Sequence, residues 1–188
     1  MGKGILRNFL LCWMLTAALL VQAQPNQGRQ SLGGTAAADR ITREVRHELL
    51  MQPYYTIFDW LAFKVDGDNV TLLGQVVDPQ LKSDAQASVK HIEGIGTVTN
   101  NIEVLPPNPE DDRIRRDVYR AIYNYDGLFK YAWGSQPPIH IIVKTGHVTL
   151  VGPVDSQQDK QLAEMRAKTV PGVFSVDDQL EVAGNKTK

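Results

Sequence analysis

The chain has 188 residues, one cysteine and a formal net charge of −1, with 20 basic against 21 acidic side chains. That balance argues against a bulk nucleic-acid binder, which would carry a clear basic excess. A single cysteine excludes an internal disulfide framework, so any domain must be held by packing alone.

Residues 1–23 read as a secretory signal peptide. Lys3 and Arg7 precede an apolar run from Phe9 to Val21, broken only by Thr16, and Val21-Gln22-Ala23 puts small residues where an export peptidase cleaves. The run is short for the roughly 20 residues of a bilayer helix, which favours cleavage over an uncleaved anchor. Cys12 sits inside the run with no small residue before it, which disfavours a lipoprotein. Cleavage after Ala23 removes Lys3, Arg7 and the only cysteine and leaves a charge of −3. Residues 24–37 hold three glycines, one proline and one large apolar residue, and are predicted to be a disordered lead-in.

The rest of the chain is a repeat. Val70-Thr71-Leu72-Leu73-Gly74-Gln75-Val76 returns 78 residues later as Val148-Thr149-Leu150-Val151-Gly152-Pro153-Val154. At the same offset Gly94 matches Gly172, Val98 matches Val176, and Ile102-Glu103-Val104 matches Leu180-Glu181-Val182. A repeat fixes the domain count before any residue is interpreted.

Each copy opens with a helix. Ile41, Val45 and Leu49 make an apolar stripe from a start near Asp39 to a limit at Pro53. Their counterparts, offset by 73, are Ile114, Val118 and Ile122 after Asp112, so the second copy carries an insert between its helix and its first strand, over Tyr125–Pro138. Strands follow, with Leu61, Phe63 and Val65, and then Ile139, Ile141 and Val143, alternating between faces. Asp66-Gly67-Asp68-Asn69 and Lys144-Thr145-Gly146-His147 read as hairpin turns. The repeated motif is the returning strand, with Gly74 and Gly152 as bulges or close approaches. Asp78-Pro79 caps the second helix, with Leu81, Ala85, Val89 and Ile92 inside; Asp155 or Ser156 caps its counterpart, with Ala163, Ala167 and Val170 inside. Gly94 and Gly172 end these helices, and Thr97–Leu105 and Ser175–Val182 are the last strands.

The fold class is α+β: two copies of a small α-β-β-α-β two-layer sandwich, each with a three-stranded mixed sheet. The predicted units are 38–105 and 111–183, joined by a Pro-rich linker at 106–110 and followed by a tail at 184–188.

This arrangement resembles the BON domain family. The likeness rests on residues 70–76, Asp84-Ala85 and 93–100 in the first copy, and on residues 146–152, Ala163 and 171–176 in the second. It implies an exported bacterial protein of the periplasm or outer-membrane periphery, with an envelope-maintenance or osmotic-stress role. Some members bind anionic phospholipid, others attach to envelope components, and the family brings no catalytic residues.

The residues themselves offer little chemistry. His47, His91, His140 and His147 lack ligand spacing, Asp66-Asp68-Asn69 lacks the closing glutamate of a calcium loop, and no serine has a visible activating neighbour. No enzyme, metal or cofactor is expected. The candidate ligand-binding surface is instead in the second copy: Arg113, Arg116 and Arg120 share a helix face, with Tyr123, Tyr125, Phe129, Lys130, Tyr131 and Trp133 after it. Cations beside rings with polar tips suit an anionic phospholipid interface, met peripherally without a spanning helix. The alternative is a docking or scaffolding site for another envelope protein.

Overall fold

The computed structural model describes residues 28–133 and 137–184, with side chains from residue 37 onward. The expected signal peptide, residues 24–27 and residues 185–188 lie outside this range. Among the described residues no helix is long and apolar enough to cross a membrane.

The first unit consists of α1 (Gly28–Leu50), β1 (Trp60–Asp66), β2 (Asn69–Val76), α2 (Pro79–Lys90), β3 (Thr97–Asn100) and β4 (Glu103–Val104). The second consists of α3 (Pro109–Tyr123), a 3-10 turn at Phe129–Ala132, β5 (His140–Lys144), β6 (His147–Val154), α4 (Gln157–Lys168) and β7 (Ser175–Val182). In each unit a hairpin pairs antiparallel, β1 with β2 and β5 with β6. The crossover helix then returns the chain parallel to the hairpin's second strand, as β3 and β4 on β2 and as β7 on β6. The α-β-β-α-β order around one mixed sheet is the predicted two-layer architecture, twice.

Two corrections apply to the boundaries. α1 begins at Gly28, not near Asp39, so residues 28–37 are helical and not a disordered lead-in. Arg29, Gln30, Leu32, Ala36 and Ala37 are good helix formers and offset the glycines of that stretch. The last strand of the first unit is broken in two. At the break Asn100 donates to the Lys82 carbonyl and to Gln86 and accepts from Ile102 N–H at 3.1 Å. β7, with Asp178 at the corresponding position and accepting in the same way from Leu180 N–H, runs unbroken.

Local chemistry explains the other boundaries. Asp78 accepts from Gln80 N–H at 2.8 Å with Pro79 in the first turn, and Asn108 does the same for Glu110 ahead of α3. Ser156, rather than Asp155, caps α4 by accepting from Asp159 N–H. Gly74 and Gly152 have φ of +119° and +126°, and a Cβ at either would overlap the carbonyl of Trp60 or Pro138. The β5–β6 turn puts Thr145 and Gly146 at positive φ. Buried Asp111 holds this turn, accepting from both their N–H groups at 2.8 Å.

Each unit has its own core. Val45, Leu72, Leu81 and Ala85 centre the first; Val118, Ile122, Ile141, Leu150 and Ala163 centre the second. The alanines let the crossover helix lie close on its sheet. The second core also takes in Ile57 and Phe58, from the α1–β1 connection of the first unit. The two units are therefore packed together, with the segment 54–60 as the joint.

Candidate functional site

The joint is built around the outer edge of β5. Ile141 N–H donates to the Ile57 carbonyl at 2.7 Å, so the first unit supplies one more backbone partner to the second unit's sheet. His140 Nδ1 lies 2.7 Å from the Asp59 carbonyl, which assigns the proton to Nδ1. Its ring stacks on Tyr55 at 5.2 Å and meets the edge of Trp60. Burial holds the His140 pKa below the usual imidazole value, against the pull of the Asp59 and Thr56 backbones. Asp59 is itself buried, accepting from Thr56 N–H and Oγ1 and from Val77 N–H, which fixes the segment's path.

This docking brings Ile57 and Phe58 against the exposed face of α3. They share a shallow depression with Arg116, Tyr119, Arg120 and Pro137. Arg116 and Arg120 are exposed and one helical turn apart, with partly exposed Tyr119 between them. Arg116 makes no ion pair among the described residues. Arg120 pairs with Asp117 at 2.9 Å, and Arg113 pairs with the same carboxylate and with Glu110. Counting Arg113, Arg116 and Arg120 against Glu110 and Asp117 leaves one net positive charge on this face.

The predicted aromatic residues separate into two groups. Trp133 and Phe129 are exposed, 75% and 45%, and their rings meet edge to face at 5.7 Å. Tyr125 is also at the surface, under the Arg166 guanidinium at 4.8 Å. Tyr123 and Tyr131, expected in the binding surface, are instead buried. The Tyr123 hydroxyl donates to the Ile139 carbonyl at 2.7 Å and accepts from Ile139 N–H, and burial raises its pKa well above the usual phenol value. The Tyr131 hydroxyl donates to Asp159 and accepts from Asp155 N–H at 2.7 Å. Both phenols replace backbone and cap partners that the insert would otherwise lack. Lys130 is likewise committed, 2.9 Å from both Asp155 and Asp159; bonds to these carboxylates raise its pKa. Burial works against the Asp159 charge, but the bonds from Lys130, Ser156 and Tyr131 outweigh it and hold its pKa low.

Of the nine predicted site residues, Arg113, Arg116, Arg120, Tyr125, Phe129 and Trp133 thus stay at the surface, while Tyr123, Lys130 and Tyr131 build the second unit's framework. Tyr119, Ile57, Phe58 and Pro137 join the surface without having been predicted. Tyr119 was visible in the sequence, between two arginines at helical spacing. Ile57 and Phe58 reach α3 only through the tertiary joint, and no local signal marks that.

Among the described residues no group of three or more His, Cys, Asp or Glu side chains comes together to hold a metal. His140 and His147 lie apart, the latter against Ser175 Oγ at 2.7 Å.

The family model for the BON domain matches residues 37–106 and again residues 110–184. No curated protein matches the chain. Two solved structures of CdsD, a structural protein of the type III secretion system of Chlamydia trachomatis, are similar at 10% and 11% identity. They cover 74% and 77% of this chain and 96% and 94% of their own, with TM-scores of 0.30 and 0.29.

Proposed function

The chain belongs to the BON domain family, with two domains in tandem, and on that basis we propose that it is a non-enzymatic protein of the bacterial periplasm that attaches peripherally to anionic phospholipid through its second domain. The observation that carries this reading is the α3 surface: Arg116 and Arg120 flank Tyr119 over an apolar floor of Ile57 and Phe58. Two cations about 6 Å apart along a helix can straddle a phosphodiester, and guanidinium groups bind its oxygens in pairs. Exposed Trp133 and Phe129 add rings suited to the headgroup level.

Magnitudes point to weak, reversible attachment. Each basic side chain near an anionic surface contributes about 1 kcal/mol, and the face has one net positive charge. The rings must therefore supply a comparable share, and the whole chain is slightly acidic. Attachment of this kind serves envelope maintenance, where a protein must visit a membrane without being inserted in it.

The test is sedimentation of the exported chain, from Gln24 onward, with neutral vesicles and with vesicles containing phosphatidylglycerol or cardiolipin. Pelleting with the anionic vesicles alone, reduced several-fold when salt rises from about 0.05 to 0.5 M and again in Trp133→Ala, is expected. Absence of pelleting in every mixture would move the assignment to an envelope protein partner.

A further inference from the structure

The two domains treat the same sheet edge differently. In the second domain Ile139, just before β5, and Ile141 and Val143 within it take backbone bonds from outside the sheet. Tyr123 hydroxyl bonds Ile139 on both its N–H and its carbonyl. Ile57 carbonyl takes Ile141 N–H, and buried Arg115 donates to the Val143 carbonyl at 2.7 Å. In the first domain the counterparts of Ile139, Ile141 and Val143 are Leu61, Phe63 and Val65 on β1. Tyr55, whose pKa burial pushes up to about 12, bonds the Leu61 backbone. Beyond that, no described residue outside β2 bonds the β1 backbone between Ala62 and Val65.

The arginine that bonds Val143 has no counterpart at Val65. Thr42 stands where Arg115 does, and its hydroxyl donates instead to the Ala38 carbonyl. Leu50 stands where Tyr123 does, and Tyr55 supplies the hydroxyl to Leu61 in its place, so the difference lies at Phe63 and Val65. What remains is a cleft of about 800 Å³ between α1 and β1, lined by Leu49, Leu61, Phe63 and Val65 with Arg46 at its mouth. Pro137, Pro138 and His140 close one end of it. Clefts of this size and apolar character hold ligands, and an unpaired edge beside one is a template for another strand.

We propose that the outer edge of β1 and this cleft bind an extended segment of another polypeptide, one with two adjacent bulky apolar residues and an acidic side chain. The chain displays the binding mode itself: Ile57-Phe58-Asp59 is such a segment, bound at the equivalent edge of the second domain. The apolar pair fills the cleft and the backbone bonds Phe63, which is strand addition to a sheet edge. In the second domain's joint the Asp59 carboxylate is used within its own domain, on Thr56 and Val77; at the first domain's edge an acid is called for by Arg46, which stands where Tyr119 does, is exposed, and makes no ion pair among the described residues. A second copy is not the occupant. The stretch of the second repeat that corresponds to Ile57-Phe58 reads Ser135-Gln136, and Ile57-Phe58 itself is already used within the chain.

The experiment titrates a synthetic peptide with the sequence of residues 54–60 into the isotope-labelled exported chain and follows amide shifts. Saturable shifts at Phe63, Val65 and Arg46 are expected below about 1 mM peptide. Phe63→Pro, tolerated on an edge strand whose N–H faces outward, should weaken binding at least tenfold. Arg46→Glu is a surface change that leaves folding intact. It should weaken binding several-fold, and less so for a peptide with asparagine in place of its aspartate. Absence of binding, shifts confined to β5, or binding indifferent to Arg46→Glu would each overturn the proposal. A dimeric free chain with slowly exchanging β1 amides would do so too, by making a second copy the occupant.

Discussion

The two BON domains share a fold and a repeated motif, yet one edge of the second is closed by the first, and the first has no such partner among the described residues. Six substitutions or additions make the difference. Arg115, Tyr119 and Tyr123 stand on α3 where α1 has Thr42, Arg46 and Leu50, and Ile57, Phe58 and Asp59 come from the first domain's own connection. The lesson is that a duplicated domain diversifies at its edges while its core positions are kept. The core residues Val70, Leu72 and Val76 correspond to Val148, Leu150 and Val154, all buried. The edges, freed from that constraint, have become a joint in one copy and, among the described residues, a cleft in the other.

If the cores are equivalent, the same change should cost both equally. Gly74→Ala and Gly152→Ala each force a Cβ into a backbone carbonyl at positive φ. Each should destabilise its domain by about 3 kcal/mol or more, measured by denaturant unfolding. Unequal costs would show that the repeat diverges in its core too.

The joint is tested by Phe58→Ala, a change in the first domain expected to weaken the second. Loss of its partly buried ring should cost about 2 kcal/mol, and Ile141 should lose amide-exchange protection. If protection falls only in the first domain, the joint does not couple the two.

The joint should also loosen in acid. Because burial holds the His140 pKa down, the folded chain favours the neutral ring more than the unfolded chain does. Its contribution is therefore complete above about pH 6.5 and is lost as pH falls through the lowered folded value. The thermal midpoint should drop between pH 7.5 and 5.5 in the native chain and less in His140→Gln, by less than Phe58→Ala costs. Glu103 and Asp159, whose pKa values are held below the usual carboxylate range, act only in more acidic solution.

The smallest effect belongs to Lys144→Ala. The Lys144–Glu103 pair bridges the domains, but both side chains are more than two-fifths exposed, so its removal should cost under about 0.5 kcal/mol and still less in high salt.

How far the sequence carried this account depends on the range of the interaction. Periodicity, caps and turn residues are local, and they located both hairpins and both crossover helices, though not the break between β3 and β4. The glycine at each close backbone approach was readable for the same reason. Where partners lie far apart in the chain, the reading failed. Tyr123 and Tyr131 look like surface aromatics until their hydroxyls meet Ile139 and Asp159, and Lys130 looks like a free cation until Asp155 and Asp159 reach it. The early start of α1 was missed because glycines masked a stretch of otherwise good helix formers.

The central claim is that the second domain, not the first, faces the membrane, and the repeat provides its own control. Vesicle sedimentation would compare the native chain with Arg116→Glu plus Arg120→Glu on α3 and with Arg43→Glu plus Arg46→Glu on α1. Binding to phosphatidylglycerol vesicles should fall at least tenfold in the α3 pair and change less than twofold in the α1 pair. Loss in the α1 pair alone, or in neither, would contradict the account.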